Sequence, residues 1–587
     1  MNTAGSYTCG CPTGFQGNGQ SANGCLLTRA RLLSLVPSSG ALNTPFDSET
    51  TTYTLALPVG TTSVFLTPTV SFPSHSTISV DGSVVASGAK STLLNVGFLP
   101  RTVSVTVTTD GGQSWSYFVS LQRSAPTYLK ASNTDAKDEF GSAIALSADG
   151  STLAVGVRAE ASSATGVSGG GQSDNSTPWA GAVYVFTRVG AQWHQEAYLK
   201  ASNTDKGDYF GSSVALSADG SNLAVGAPGE ASKATGINGD QADNSASSSG
   251  AVYVFTRAGS QWGQQAYVKA SNTRVGAGSF GGAVALSSDG STLAVGAIGE
   301  SSKSTGINGD QADISAAYAG AAYVFVRTGS QWSQQAYVKA SNTEAYDYFG
   351  GAVALSADGS TLAVGANGED SAATGVNGDQ SSNSASYAGA VYVFSRSGTA
   401  QWGQQAYVKA FDTAQSDNFG AAIVLSADGS TLAVGASGKD RSVGRVCLFA
   451  RSNSQWNQQA DVKASNAMTN DNFGGAIALS ADGLTLAVGA TGEDSMAIGV
   501  NGNQDDDSAL ESGAIYIFGR VGVQWTQQTY IKAPNTGAGD HFGTAVALTA
   551  DGSGLAVGAL WEDSKATGIN GDMADNSLSN AGAVYVY

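Results

Sequence analysis

The sequence predicts an all-β protein, in which a small β-sandwich precedes a seven-bladed β-propeller with four-stranded blades. Two observations predict this fold class. A unit of about 70 residues recurs seven times after residue 126. The composition, with 77 glycines and only 13% charged residues in 587, is typical of many short strands joined by turns. An apolar content of 41% is enough for a packed core.

The repeated unit contains Phe-Gly, a strand of small apolar residues, the turn Ser-Ala-Asp-Gly and the run Leu-Ala-Val-Gly-Ala. In the second copy it predicts strands over 210–216, 222–227, 251–256 and 262–269. Asp-Gly between apolar runs favours a tight hairpin, and four-stranded units repeated radially make a propeller. The phenylalanines that mark the copies are Phe140, Phe210, Phe280, Phe349, Phe419, Phe473 and Phe542.

The seventh copy reaches Tyr587 at the end of its third strand and has no fourth. The run Tyr128-Leu-Lys-Ala resembles the end of a fourth strand but has no blade of its own. We therefore predict that residues 126–131 complete blade seven, which would remove two exposed sheet edges. The other fourth strands each carry a tryptophan, which we interpret as a packing residue and not as a sugar platform. These are Trp193, Trp262, Trp332, Trp402, Trp456 and Trp525.

Residues 30–123 alternate short apolar runs with turns, which predicts a β-sandwich. The run from Leu35 to Tyr53 contains Ser-Gly-x-Leu-x-x-x-Phe-Asp-x-x-Thr-Thr-x-Tyr and resembles the bacterial cadherin-like β-sandwich domain. This resemblance implies a spacer or stalk.

Residues 1–27 carry Cys9, Cys11 and Cys25 among Gly-Ser-Tyr-x-Cys-x-Cys and Gly-Phe-x-Gly-Asn-Gly runs, and resemble the C-terminal half of an EGF-like domain. The resemblance implies a Cys11–Cys25 disulfide, an oxidising compartment and a chain that begins inside a longer protein. Three close cysteines could also bind zinc, although a fourth ligand is missing. A glycine-rich tail without a fixed fold is a further alternative.

The pattern Phe-Gly…Val-Gly-Ala…Gly-Ala-Val-Tyr-Val-Phe over residues 124–587 resembles FG-GAP repeats of the bacterial type, the unit of integrin α-chain propellers. It implies an extracellular or cell-surface protein with a binding or adhesive role. The formal charge of −18 argues against nucleic acid and against anionic lipid as partners. No apolar run is long enough to insert in a membrane.

Several integrin blades bind calcium in a DxDxDG-type loop between strands one and two. Here that place holds Ser-Ala-Asp-Gly-Ser, and one aspartate cannot supply the six to eight oxygens that calcium takes. We interpret these aspartates as turn formers. They are Asp149, Asp219, Asp289, Asp358, Asp428, Asp482 and Asp551.

Acidic residues gather instead in the long links between strands two and three, around Thr-Gly-Ile-Asn-Gly-Asp-Gln-Ala-Asp-Asn. Hard oxygen ligands in glycine-rich loops favour calcium, so we predict one calcium ion per loop. The alternative is that Asp and Asn only cap turns. The candidate ligands are Glu230, Asn238, Asp240, Asp243, Glu300, Asn308, Asp310, Asp313, Glu369, Asn377, Asp379, Glu493, Asn501, Asp505, Glu562, Asn570, Asp572 and Asp575.

The links from strand four to strand one add an aspartate before Phe-Gly and should complete an acidic crown on one face of the ring. These are Asp138, Asp208, Asp347, Asp417, Asp471 and Asp540. Blade five has lost its long loop, so a gap above Lys439-Asp-Arg441 is a candidate ligand groove. Cys447 replaces a strand tyrosine there and is predicted to be a buried free thiol.

These features predict an adhesin-like binding protein that takes a protein or glycan ligand on the acidic loop face. A lectin-like propeller and a purely structural surface protein are the alternatives. Catalysis is not predicted, because His75, His194 and His541 occupy unrelated places and no nucleophile accompanies them. The acidic residues recur blade after blade, which favours a repeated structural role over a single active site.

Overall fold

The computed structural model describes residues 15–17, 25–27, 31–57, 63–96, 101–123, 125–167, 171–190, 192–276, 278–398 and 401–587. The chain divides after residue 125 into two compact units. The described residues include no helix that is long and apolar enough to cross a membrane.

The first unit contains the predicted β-sandwich. Its main sheet has six strands, in which Thr52–Leu57 pairs in parallel with Ser114–Arg123. Burial alternates along Arg101–Thr109, where Val103, Val105 and Val107 are fully buried. The strands are Leu32–Pro37, Ala41–Leu42, Thr52–Leu57, Ser63–Val64, Leu66–Val70, Ser76–Val80, Ser83–Val85, Leu94–Asn95, Arg101–Thr109 and Ser114–Arg123, with a 3-10 turn at Pro73–His75.

Within the first 27 residues, Phe15–Gly17 pairs antiparallel with Cys25–Leu27. Cys9 and Cys11 lie outside the described residues. The EGF-like segment and its disulfide therefore stay predictions.

The second unit is a ring of seven four-stranded antiparallel sheets, which confirms the predicted fold class. First strands are Ala143–Leu146, Ser213–Leu216, Ala283–Leu286, Phe349–Leu355, Phe419–Leu425, Ala476–Leu479 and Phe542–Leu548. Second strands are Thr152–Val157, Asn222–Ala227, Thr292–Ala297, Thr361–Ala366, Thr431–Ala436, Thr485–Ala490 and Leu555–Ala559. Third strands are Ala182–Val189, Ala251–Ala258, Ala321–Thr328, Ala390–Ser397, Arg445–Ser452, Ala514–Val521 and Ala583–Val586. Fourth strands are Gln192–Leu199, Gln261–Val268, Gln331–Val338, Gln401–Val408, Gln455–Val462 and Gln524–Ile531.

Blade seven takes its fourth strand from the N-terminal side of the propeller, as predicted. Thr127–Leu129 pairs antiparallel with Ala583–Val586, and Tyr128 lies opposite Tyr585. The ring is closed by ordinary sheet hydrogen bonds.

Blades meet where a second-strand glycine approaches the carbonyl of the next Phe-Gly glycine. A Cβ atom on Gly365 would lie 2.0 Å from the Gly420 oxygen, so only glycine fits there. The same contact recurs at all seven seams, which explains the glycine of Val-Gly-Ala. The pairs are Gly156–Gly211, Gly226–Gly281, Gly296–Gly350, Gly365–Gly420, Gly435–Gly474, Gly489–Gly543 and Gly558–Gly141.

The hairpin turns between strands one and two form one face of the ring, which we name the turn face. Each turn donates a main-chain hydrogen bond to the next, at 2.8–2.9 Å, until the circle closes. The donors and acceptors are Ala148 to Ala218, Ala218 to Ser288, Ser288 to Ala357, Ala357 to Ala427, Ala427 to Ala481, Ala481 to Ala550 and Ala550 to Ala148.

Each turn is held by its aspartate. The Asp358 carboxylate accepts hydrogen bonds from the Ser356 hydroxyl at 2.6 Å and from the Ser360 amide at 2.9 Å. Equivalent bonds form around the other six turn aspartates. This geometry supports our interpretation of these aspartates as turn formers.

Candidate functional site

The opposite face carries the long links between strands two and three and the links from strand four to strand one. We name it the loop face. In five blades the long link is fastened to strand four by an asparagine in the left-handed region, such as Asn377 at φ 57°. Its amide donates to the Tyr407 carbonyl and its side-chain oxygen accepts the Tyr407 amide at 3.0 Å. The predicted ligands Asn238, Asn308, Asn377, Asn501 and Asn570 all act in this way.

The predicted glutamate ligands are not in exposed loops, and this corrects their predicted placement. Glu369 is buried and forms an ion pair of 2.8 Å with the buried Lys409. Its other oxygen accepts hydrogen bonds from the Tyr407 hydroxyl at 2.8 Å and the Asn342 amide at 3.0 Å. Both oxygens are thus occupied, and a buried lysine needs such a partner.

The same ion pair supports the loop face in six blades, at 2.7–2.9 Å. The pairs are Glu160–Lys200, Glu230–Lys269, Glu300–Lys339, Glu369–Lys409, Glu493–Lys532 and Glu562–Lys130. Burial lowers the pKa of each lysine, and the facing glutamate opposes that shift. Sequence reasoning missed these pairs.

Blade five carries a different set of charges. Lys439 stands where the other blades have the glutamate, and Asp412 stands where they have the asparagine. Lys439 forms an ion pair of 3.0 Å with Asp417, and Arg445 one of 2.8 Å with Asp412. The lost loop is replaced by the single turn Lys439–Ser442. The gap predicted there is filled in part by this second network.

The aspartates before Phe-Gly are buried, which corrects the prediction that they belong to an exposed crown. Asp347 accepts the Glu344 amide at 2.8 Å. Burial raises the pKa of Asp138 and Asp347 to about 8, and that of Asp208, Asp471 and Asp540 to about 7. Burial also raises the pKa of Asp417.

The remaining predicted ligands lie at the surface and mostly accept hydrogen bonds from turns. Asp379 accepts the Ser381 amide at 3.0 Å, and Asp243 accepts the Lys233 amide at 2.7 Å. Asp240, Asp310, Asp313, Asp572 and Asp575 make similar bonds, while the Asp505 amide donates to Asn503. Within the described part of the chain, no three His, Cys, Asp or Glu residues come together as a metal group. The predicted ligand sets do not fit a shared calcium shell, and calcium binding stays a prediction.

The loop face has a feature that the sequence patterns did not single out. At each seam the residue before Phe-Gly donates its amide to the carbonyl of a residue in the preceding blade, at 2.8–3.2 Å. We name these partners the seam pairs. All fourteen residues have φ between 44° and 62°. The pairs are Trp179–Tyr209, Ser248–Ser279, Tyr318–Tyr348, Tyr387–Asn418, Ser442–Asn472, Glu511–His541 and Asn580–Glu139.

A third position beside them is different in every blade. It directly follows strand two, between the nearly constant Val-Gly-Ala and Gly-Glu runs. Its seven residues are Arg158, Pro228, Ile298, Asn367, Ser437, Thr491 and Leu560. Ser-Ala-Asp-Gly-Ser, in contrast, is almost unchanged on the turn face. Internal variation is therefore concentrated on the loop face.

A scan against protein families identifies this architecture. The FG-GAP repeat matches residues 193–255, 332–394, 402–449, 456–518 and 525–587, which together are more than half of the chain. The chain belongs to the FG-GAP repeat family. Each full-length match runs from the tryptophan of one blade to the third strand of the next, so the FG-GAP unit straddles a seam. The cadherin-like beta sandwich domain matches residues 31–124, against the predicted 30–123.

No curated protein matches this FG-GAP protein. Among solved structures, it is similar to the periplasmic gluconolactonase PpgL of Pseudomonas aeruginosa. The two are 14% identical over 76% of this chain and 96% of that chain, with a TM-score of 0.39. A likeness at this level carries no argument about activity.

Aromatic seam residues of the FG-GAP propeller cluster around blades three to five. The rings of Tyr318 and Tyr346 stack at 5.9 Å and 16°, and Tyr348 lies 6.1 Å from Tyr318. Tyr318, Tyr346 and Tyr387 are 44%, 53% and 46% exposed. A second aromatic pair, Trp179 and Tyr209, stacks at 6.5 Å.

Five of the six fourth-strand tryptophans are buried packing residues, as predicted, and Trp525 is half-buried against the core of its own seam. Trp193, Trp262, Trp332, Trp402 and Trp456 are buried, and an arginine lies over each ring at 5.5–5.8 Å. Cys447 is a buried free thiol, as predicted, and burial raises its pKa to about 12.

Proposed function

We propose that this FG-GAP protein is a surface or adhesion-type binding protein that acts outside the cell and binds its ligand with the loop face. One observation carries the proposal. Seven blades that are nearly identical on the turn face differ from one another at three neighbouring positions on the loop face. Such variation is expected where a surface is adapted to a ligand, because the fold itself makes the same demand on every blade.

Backbone strain supports the same role. A left-handed conformation costs a bulky residue on the order of 1–3 kcal/mol, and such strain collects at functional sites. Serine and asparagine already occupy this conformation at Ser248 and Asn580. Trp179, Tyr318 and Tyr387 occupy it too, although a smaller residue would suit the fold better. This favours ligand binding over a purely structural surface protein.

Catalysis is not part of this proposal. The six glutamates of the buried ion pairs are occupied by lysine and by neutral donors, so none of these six is available as a general base. Calcium dependence is kept as a separate hypothesis, in which the exposed carboxylates of Asp240 and its counterparts supply some of the oxygens around an ion in each long link.

The test compares the full chain with a variant in which the aromatic seam residues are changed to serine. The changes are Trp179→Ser, Tyr209→Ser, Tyr318→Ser, Tyr348→Ser and Tyr387→Ser. Each introduces a residue that the Ser248–Ser279 seam already carries. Both proteins are applied to a glycan array and to a panel of purified surface and matrix proteins. We expect at least one target to be bound by the unaltered protein and lost by the variant.

A control variant changes turn-face serines Ser151, Ser221, Ser291, Ser360 and Ser430 to alanine, and should keep the interaction. Melting temperatures show whether either variant is folded. Absence of any target, or equal binding by both variants, would contradict the proposal. Repeating the assay and the melting with calcium and with chelator tests the calcium hypothesis, which fails if neither changes.

A further inference from the structure

A cavity of about 380 Å³ opens beside the aromatic cluster of blades three to five. It is lined by Gly282, Ile298, Tyr348, Gly351, Asn367 and Ala421. Gly282 and Gly351 also line the channel along the ring axis, so the cavity adjoins the mouth of that channel. Its volume lies within the range of small-ligand sites, roughly 300–1,000 Å³.

The cavity is lined by residues of neighbouring blades, at the position after Phe-Gly, the position before it and the position after strand two. Gly351 has no side chain at a position where three other blades have Ser142, Ser212 or Thr544, and where Gly282, Ala421 and Gly475 leave similar space. A Cβ atom on Gly351 would lie 3.3 Å from the Asn367 side-chain oxygen and would point into this space. The Tyr348 ring lies across Gly368, where a Cβ atom would be only 2.6 Å from the ring.

The residues that line the cavity determine which kind of ligand it can bind. None of the six residues carries a charge at neutral pH, so neither an anion nor a cation would find a counter-charge among them. The Tyr348 hydroxyl and the Asn367 amide can each donate and accept hydrogen bonds. The Tyr348 ring and the Ile298 side chain supply flat or apolar surface. A ligand with hydroxyl edges and apolar C–H faces satisfies all of these groups.

The surface continues outward from the cavity. Tyr318 and Tyr346 extend the aromatic area beyond Tyr348, and both rings are about half exposed. The cavity is large enough for a single sugar, whereas a chain of several sugars would also reach these rings.

We propose that this site binds a neutral oligosaccharide, with one sugar in the cavity and the next residues of the chain on Tyr318 and Tyr346. The inference rests on the proposed function of the loop face and adds its ligand class. Proline-rich peptides also dock on aromatic surfaces, and they form the competing arm of the test.

The probes are hexaoses of cellulose, chitin, mannan and xylan, with a proline-rich peptide and polygalacturonate as comparisons. Binding to the full chain is measured by calorimetry and by saturation-transfer NMR. Tyr348→Asn introduces the residue of Asn418 and Asn472, and Gly351→Thr introduces that of Thr544. Both residues are therefore already accommodated at equivalent places in the fold.

We expect at least one neutral hexaose to bind, and both variants to weaken it about tenfold or more. Tyr209→Asn changes the same position at a distant seam and should leave the affinity within about twofold. The inference is overturned if no neutral saccharide binds, or if neither Tyr348→Asn nor Gly351→Thr weakens the binding. If the serine variant of the loop face abolishes binding to a protein or peptide while no saccharide binds, the carbohydrate inference fails and the proposed function stands.

Discussion

The turn face and the loop face are made from the same seven blades, yet they use the main chain in different ways. On the turn face, each Ser-Ala-Asp-Gly turn donates to its neighbour until seven hydrogen bonds close a circle. On the loop face, neighbouring blades meet through single bonds between left-handed residues whose side chains differ at every seam. One face is constrained by its backbone, whereas the other leaves its side chains free to vary.

This difference shows where the propeller can change. A turn that loses its shape affects two neighbours, because each turn is both donor and acceptor. A seam pair, however, is joined by a hydrogen bond between main-chain atoms, so its side chains can change without removing that bond. Substitutions on the two faces test this contrast, and those in the ion pairs that support the loop face should have the largest effect.

Glu369→Gln should have the largest effect. It leaves the buried charge of Lys409 without its partner, which costs about 3–5 kcal/mol. Denaturant unfolding should show this loss, and hydrogen exchange should show the opening of the blade-four loop. Replacing both partners, as Glu369→Leu with Lys409→Met, should recover much of the stability. A loss below about 0.5 kcal/mol in the single variant would mean that the pair does not support this face.

Asp358→Ala should cost about 1–2 kcal/mol, because it removes the acceptor that shapes one turn of the closed circle. Asp379→Ala is the matched control on the loop face, where the same kind of bond to a serine amide is fully exposed. We expect it to leave the free energy of unfolding nearly unchanged. Equal losses in the two variants would show that the circle adds nothing to the individual turns.

Stability should rise as the pH falls from 8.5 to 6. Burial raises the pKa of Asp347 to about 8 in the folded chain, so the folded state binds a proton that the unfolded state has lost. Acidification therefore favours folding, and this contribution is lost as the pH rises through about 8. Asp347→Asn should flatten the slope by up to about 1.4 kcal/mol per pH unit. A slope that the substitution leaves unchanged would place the ionised form in the folded state.

Tyr387→Ser should have the smallest effect on stability, within about 0.5 kcal/mol. Its ring is 46% exposed, and serine already adopts the same backbone conformation at Ser248 and Ser442. Tyr392→Ser, in the adjacent strand of the same blade, removes a fully buried ring and should cost about 3 kcal/mol or more. If Tyr387→Ser were equally damaging, the seam side chains would be part of the core.

The architecture could be predicted from the sequence because its signals are local and repeated. Asp-Gly turns mark the hairpins. Because Tyr128-Leu-Lys-Ala resembles the end of a fourth strand, the sequence also predicted the pairing of Thr127–Leu129 with Ala583–Val586. For these elements, the residue pattern of a short segment is enough to predict its place in the fold.

The chemistry of the loops was harder to predict, because Glu369 and Asp379 are acids of the same link with different environments. Glu369 is buried because Lys409 reaches it from strand four, 40 residues later in the chain. A usable signal was the lysine of Tyr-x-Lys-Ala at the end of a buried strand, because such a charge requires a carboxylate nearby. A second signal was in blade five, where Lys439 replaces the glutamate and Asp412 replaces the asparagine of the same network.

The closing strand has a consequence for synthesis on the ribosome. Thr127–Leu129 emerges long before Ala583–Val586, its partner in the sheet. At ribosomal rates of about 5–20 residues per second, it waits on the order of tens of seconds without that partner. A long unpaired strand would invite aggregation during this time. Only three residues form this strand, so the chain exposes little that another molecule could pair with before the ring is complete.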